Sequence, residues 1–184
     1  MVRSAVMIRD VFWFGGATPR SDEEAVFLGT LRSDAAAWDL DVAPDDTTSF
    51  TGLVPLYVDV SVPGLPLGTN RYTILQGAYW AGGPAGLTLR AEWGDTYLLD
   101  GGGHDNDLRL EGVGLGAAQA ASMLASWFKA QLRRPIDRFD WVAAGGGVVA
   151  SEWRLVDTGS RVASEGSWFG GEAPTRRVTA RAQA

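Results

Sequence analysis

His104 is the one histidine in this 184-residue chain. It stands in a loop that reads DGGGHDND from Asp100 to Asp107, with Asp105 beside it. An imidazole that titrates near neutral pH and is oriented by a carboxylate is the pattern of a general base, which makes His104 and Asp105 the candidate catalytic pair. No nucleophile motif accompanies them: the sequence contains neither G-x-S-x-G nor H-E-x-x-H. A histidine in a polar glycine loop is ordinarily a solvated turn residue. We adopt that reading, and no catalytic residue is assigned.

The same loop offers Asp100, Asp105 and Asp107, hard oxygen donors of the kind Ca²⁺ takes. Its glycines followed by Asn-Asp are similar to one turn of the glycine–aspartate nonapeptide repeat, but such sites are built from stacked copies and this chain has one. The EF-hand spacing, with its bidentate Glu, is absent. Turn geometry accounts for Asp and Asn equally well. Gly112-Val113-Gly114-Leu115-Gly116 enters a helix as a phosphate-binding turn would, yet position 117 is Ala, so the G-x-G-x-x-G register fails. No metal and no cofactor is assigned.

Composition removes further classes. There is no Cys, so disulfides, thiolate zinc sites, iron–sulfur clusters and cysteine nucleophiles are impossible. Lys and Arg total 16 against 22 Asp and Glu, a formal charge of −6. Nucleic acid is therefore not expected as the main partner, because phosphate binding needs a basic footprint. Fifteen of the 16 basic residues are Arg, which matches a high-GC coding sequence. No apolar run reaches the ~18 residues of a membrane span, and Arg9 and Asp10 interrupt the apolar start, so no membrane partner and a cytoplasmic location are expected.

What remains is surface. Trp38, Trp93, Trp141 and Trp153 fall in phase with apolar neighbours and read as core. Trp80 and Trp168 lie near strand ends beside glycines and are candidate partner contacts. Asp39, Asp41, Asp45 and Asp46 form an acidic cluster able to meet a basic partner. The C-terminal stretch is opposite in sign: Arg176, Arg177 and Arg181 carry +3, leaving −9 for residues 1–174.

These residues must be held by elements that periodicity locates. Val2 to Phe14 reads as a strand, and Trp38 to Val42 alternates as another. Ser21-Asp22-Glu23-Glu24 has capping-box spacing and opens a short helix over about 22–32. Strands follow at 56–62, 70–80, 87–93, 96–99 and 108–111, separated by Gly and Pro turns. Residues 116–134 make one long amphipathic helix stopped by Pro135, with Ala117, Ala120, Ala121, Leu124, Trp127, Phe128, Gln131 and Leu132 at 3.6-residue spacing on one stripe. Strands near 139–141, 149–155 and 161–169 complete the count. Strands, a helix, then strands predict an α+β fold: mainly antiparallel sheet with the long helix packed on it. The expected organisation is a single domain over 1–171 and a flexible basic tail over 172–184.

The segment Trp127-Phe128, Leu132-Arg133-Arg134-Pro135, Arg138, Trp141, Trp153 and Asp157-Thr158-Gly159 resembles uncharacterised proteins of high-GC actinobacteria and their phages or mobile elements. It covers the C-terminal third before the tail and implies no activity. The leading expectation is a non-enzymatic interaction or assembly domain, such as a component of a phage-like or other multi-subunit particle assembled in the cytoplasm. Its partner would be another protein or a second copy. The alternatives are an acidic inhibitor or immunity-type protein using the aspartate cluster, and a small hydrolase or calcium-dependent enzyme centred on His104.

Overall fold

The computed structural model describes residues 12–52, 55–66, 74–83, 86–94, 107–112, 114–166 and 173–182. Helix α1 spans Asp22–Ala36. The Ser21 side chain accepts the Glu24 N–H at 3.2 Å, and three acids occupy the first turn, where they complement the exposed N–H dipoles. The Glu24 carboxylate closes the other half of the cap one residue early, accepting the N–H of Arg20 at 2.7 Å. The helix runs four residues past 32 because Leu31 and Ala35 extend the buried stripe of Phe27 and Leu28.

Five antiparallel strands then form a meander in the order β1 (Thr47–Thr51), β2 (Leu56–Ser61), β3 (Ile74–Gly83), β4 (Gly86–Gly94) and β5 (Leu108–Glu111). One face of this first sheet is apolar: Leu56, Val58, Val60, Leu75, Tyr79, Leu89 and Ala91 are all at most 1% exposed. Both helices cover it. Phe27 of α1 stacks on Tyr79 at 4.0 Å. Helix α2, Ala117–Leu132, rests on β3 through Leu124, and its Gln131 accepts the Trp93 indole N–H at 2.9 Å. The Ser122 hydroxyl donates to Asp34 at 2.7 Å and ties α2 to α1. Helix α2 ends short of Arg133-Arg134 because the residue before a proline is pushed out of helical geometry.

A second antiparallel sheet has the order β8 (Arg161–Gly166), β7 (Val148–Leu155), β6 (Ile136–Val142) and β9 (Arg176–Arg181). Ile136, Trp153, Leu155 and Ala163 join the buried cluster formed by the first sheet and the helices. The α+β class, the antiparallel sheets and the long covering helix are as the periodicity predicts. No described helix is long and apolar enough to cross a membrane.

Three expectations change. Trp38 to Val42 is not a strand: no described strand pairs with it, and its alternation reflects a loop pressed on the core. Trp38 meets Trp13, Phe14 and Phe128 edge-on at 5.4, 6.2 and 6.5 Å. Residues 12–14, the described end of the first expected strand, turn instead. Phe14 is fully buried with φ +49°, held by Thr47 and Ser49 hydroxyls at 2.7 Å each and stacked on Phe128. The third change is at the C-terminal end, where residues 176–181 form an edge strand on β6 rather than a free tail. Residues 2–11, 70–73, 96–99 and 167–169 of the expected strands lie outside the described residues.

Candidate functional site

His104, Asp100, Asp105 and Trp168 fall outside the described residues. Asp107, just before β5, is half-buried. Among the described residues no group of three or more His, Asp or Glu is arranged to hold a metal ion.

The arginines of the C-terminal stretch are already occupied within the chain. Arg176 donates from Nε and Nη2 to Asp140 at 2.8 and 2.5 Å. Asp140 is fully buried and also accepts the Ser151 hydroxyl at 2.7 Å and pairs with Arg138 at 3.0 Å. Burial pushes the Asp140 carboxyl up, but Ser151, Arg176 and Arg138 together hold it below the usual carboxylate range. Arg177 binds Asp137 from Nε at 2.6 Å, and Arg181 pairs with Asp41. The tail is ordered because β6 supplies both a backbone ladder and two buried acids: Asp140 stands directly opposite Arg176, and Asp137, which opposes Thr179, takes Arg177 diagonally.

The acidic cluster divides in the same way. Asp41 takes the Arg181 guanidinium, and Asp46 accepts the Ala43 N–H at 2.8 Å to close a 3₁₀ turn over Pro44–Asp46. Asp39 and Asp45 are exposed and make no hydrogen bond or ion pair among the described residues. The loop 39–41, the turn at Pro63-Gly64 and Ala180 to Ala182 enclose a cleft of about 590 Å³.

Two further arrangements lie on the outer face of the first sheet, away from the helices. Register places Thr48, Asp59, Gln76 and Glu92 in one line across β1 to β4. Asp59, Gln76 and Glu92 are 4%, 0% and 5% exposed. The Asp59 carboxylate accepts no hydrogen bond, and burial pushes its pKa up to about 7. The sequence shows the alternation that puts Asp59 opposite the helix face, but a polar residue there reads as wet, and nothing local signals its burial.

The next rows of the same face carry aromatic rings and an arginine. Phe50 and Tyr57 stack with centroids 5.0 Å apart. Trp80, 39% exposed, lies diagonal to Tyr57 across β2 and β3 and opposite Thr88 of β4. Arg90 follows one pair along β4, and its Nε donates to Glu111 at 3.2 Å. Of the described residues singled out as partner contacts, Trp80 is therefore an exposed aromatic residue on the same sheet face as a stacked pair of rings.

The outer face of the second sheet is more self-contained. The guanidiniums of Arg154 and Arg177 lie over the Phe139 ring at 5.2 and 5.5 Å. Glu152, 2% exposed, pairs with Arg154 at 2.5 Å and Arg161 at 3.6 Å. Its positive charges are matched by acids beneath them.

No protein-family model, curated protein or solved structure matches this chain. The functional reading rests on its own residues.

Proposed function

We propose that the chain is a protein–protein interaction domain that self-assembles through the exposed end of the outer face of its first sheet, around Trp80. The observation that carries this reading is the exposed Trp80 ring beside the Phe50–Tyr57 stack and Arg90. Trp, Tyr and Arg are the residues that dominate binding energy at interfaces, because each buries a large, nearly rigid surface and keeps one polar handle. A sheet face is flat and already ordered, so little conformational entropy is lost on docking. The C-terminal arginines drop out of this reading, since their own chain holds them.

Light scattering over a wide range of concentration tests it. The wild-type mass should rise with concentration, and Trp80→Ser should stay monomeric while melting at the same temperature. A wild-type chain that remains monomeric throughout, indistinguishable from Trp80→Ser, overturns self-assembly. A second reading, an acidic protein that binds a basic partner, is favoured by the unpaired carboxylates of Asp39 and Asp45.

A further inference from the structure

We propose that the buried polar row Asp59, Gln76 and Glu92, on the outer face of the first sheet, binds a hard divalent cation, Ca²⁺, between its two carboxylates. The site stands apart from the Trp80 surface and does not depend on it.

Buried acids in this chain follow a pattern, and Asp59 breaks it. Glu24 pairs with Arg20, Asp137 with Arg177, Asp140 with Arg176 and Arg138, and Glu152 with Arg154. Asp59 is 4% exposed, yet no arginine reaches it and neither of its carboxylate oxygens accepts a hydrogen bond. Arg90, one step along the same face of β4 from Glu92, gives its guanidinium to Glu111 instead. A carboxylate withdrawn from water needs a proton, a cationic side chain or a metal ion to offset its lost hydration. A proton serves one acid. A divalent cation serves Asp59 and Glu92 at once.

Register supplies the donors independently. Asp59 of β2 stands opposite Gln76 of β3, and Gln76 stands opposite Glu92 of β4. Directly opposed side chains on one face lie about 5 Å apart, so Asp59 and the Gln76 amide oxygen are immediate neighbours. Glu92, a methylene longer than an aspartate, leans over the amide towards the same ion. Every donor is an oxygen, which selects a hard cation. No group of three or more His, Asp or Glu forms among the described residues, so the rest of the shell falls to the amide and to water. Ca²⁺ accepts such a mixed shell, whereas Mg²⁺ demands near-octahedral geometry and gives up water reluctantly. Thr48, opposite Asp59 on β1, is exposed, so the row meets solvent at that end. Ligands this covered take up their ion as the chain folds.

The test uses the full chain, unfolded in urea and refolded at mildly alkaline pH with CaCl₂, MgCl₂ or EDTA. Excess Ca²⁺ should raise the melting temperature by about 5 °C or more over EDTA, and Mg²⁺ by less than about half as much. Asp59→Asn and Glu92→Gln should each cut the Ca²⁺ shift to less than about a third, while Asp45→Asn, in an exposed acidic stretch, keeps it. Asp59→Asn removes a buried charge, so in EDTA it should fold and melt above the wild type; losing the Ca²⁺ shift then reads binding and not damage. No Ca²⁺ shift in the wild type, a full shift kept in Asp59→Asn or Glu92→Gln, or a Mg²⁺ shift as large as that of Ca²⁺ each overturn the proposal. Trp80→Ser should show the same Ca²⁺ shift as the wild type, so failure of the ion site leaves the assembly reading standing, and the reverse.

Discussion

A Cβ atom on Gly77 would lie 2.9 Å from Cδ2 and 3.1 Å from Cδ1 of Leu124. Strand β3 thus carries a glycine where helix α2 descends onto the sheet, and Val58 closes the third side at 3.2 Å. Leu124 is fully buried, so its side chain has little room to yield. Gly77→Ala should cost about 1–3 kcal/mol by overpacking, read from urea denaturation midpoints. Adding Leu124→Ala should recover part of that loss relative to the sum of the two single changes.

Asp59 should make stability fall as pH rises. Its carboxyl, pushed up to about 7 by burial, holds a proton more tightly when folded than at its ordinary value near 4 when unfolded. The protonated contribution is complete below about pH 4 and is lost as pH rises through about 7, with a slope on the order of 1.4 kcal/mol per pH unit in that window. Asp59→Asn removes the titration. The variant should exceed the wild type in stability by roughly 2–4 kcal/mol at about pH 8, and the difference should shrink steadily towards about pH 4. A difference independent of pH in chemical denaturation would contradict this.

Asp140 should show the opposite sign. Its carboxyl sits below the ordinary range, so its contribution is present above the unfolded value near 4 and disappears as pH falls through the lower folded value. Asp140→Asn leaves Arg138 and Arg176 facing a neutral amide. Because those arginines are 36% and 49% exposed, water offsets part of the loss, and a cost of about 1–3 kcal/mol is expected. Hydrogen exchange should show amide protection lost in β9 before β7.

Gln131 is a shared acceptor. Its Oε1 takes the Trp93 indole N–H at 2.9 Å and the Arg134 guanidinium at 2.8 Å. Gln131→Leu preserves helix propensity and bulk but strands a buried indole donor. A loss of about 1–3 kcal/mol in thermal or chemical melts is expected. Gln131→Glu, which restores an acceptor, should recover part of it.

Periodicity located most of the elements because burial of one sheet face and one helix stripe leaves a direct imprint. Leu56, Val58 and Val60, and the Ala120 to Leu132 stripe, behave as their spacing requires. The pattern misleads where burial comes without strand pairing, as at Trp38, Leu40 and Val42. It also misses long-range pairing: nothing near Arg176 or Arg181 reveals that Asp140 and Asp41 wait 36 and 140 residues away. The outer-face line of Asp59, Gln76 and Glu92 hides for a related reason, since register between strands is a property of the sheet and not of any one segment. The Trp80 surface was half legible, from its glycine neighbours and strand-end position.

The docking of β9 also has a consequence for the order of synthesis. The contact between Asp41 and Arg181 closes a loop of 140 residues, among the largest separations a chain of this size can hold. Contacts of that span are formed late and raise the contact order, which slows folding. On the ribosome β6 is made long before residues 176–181 emerge, so one edge of the second sheet stands open, with Asp137 and Asp140 lacking their arginines. An unpaired edge invites pairing with other chains, and two buried-to-be carboxylates on it repel that approach until the proper strand arrives. The same acids that hold the finished sheet together would guard it while it is incomplete.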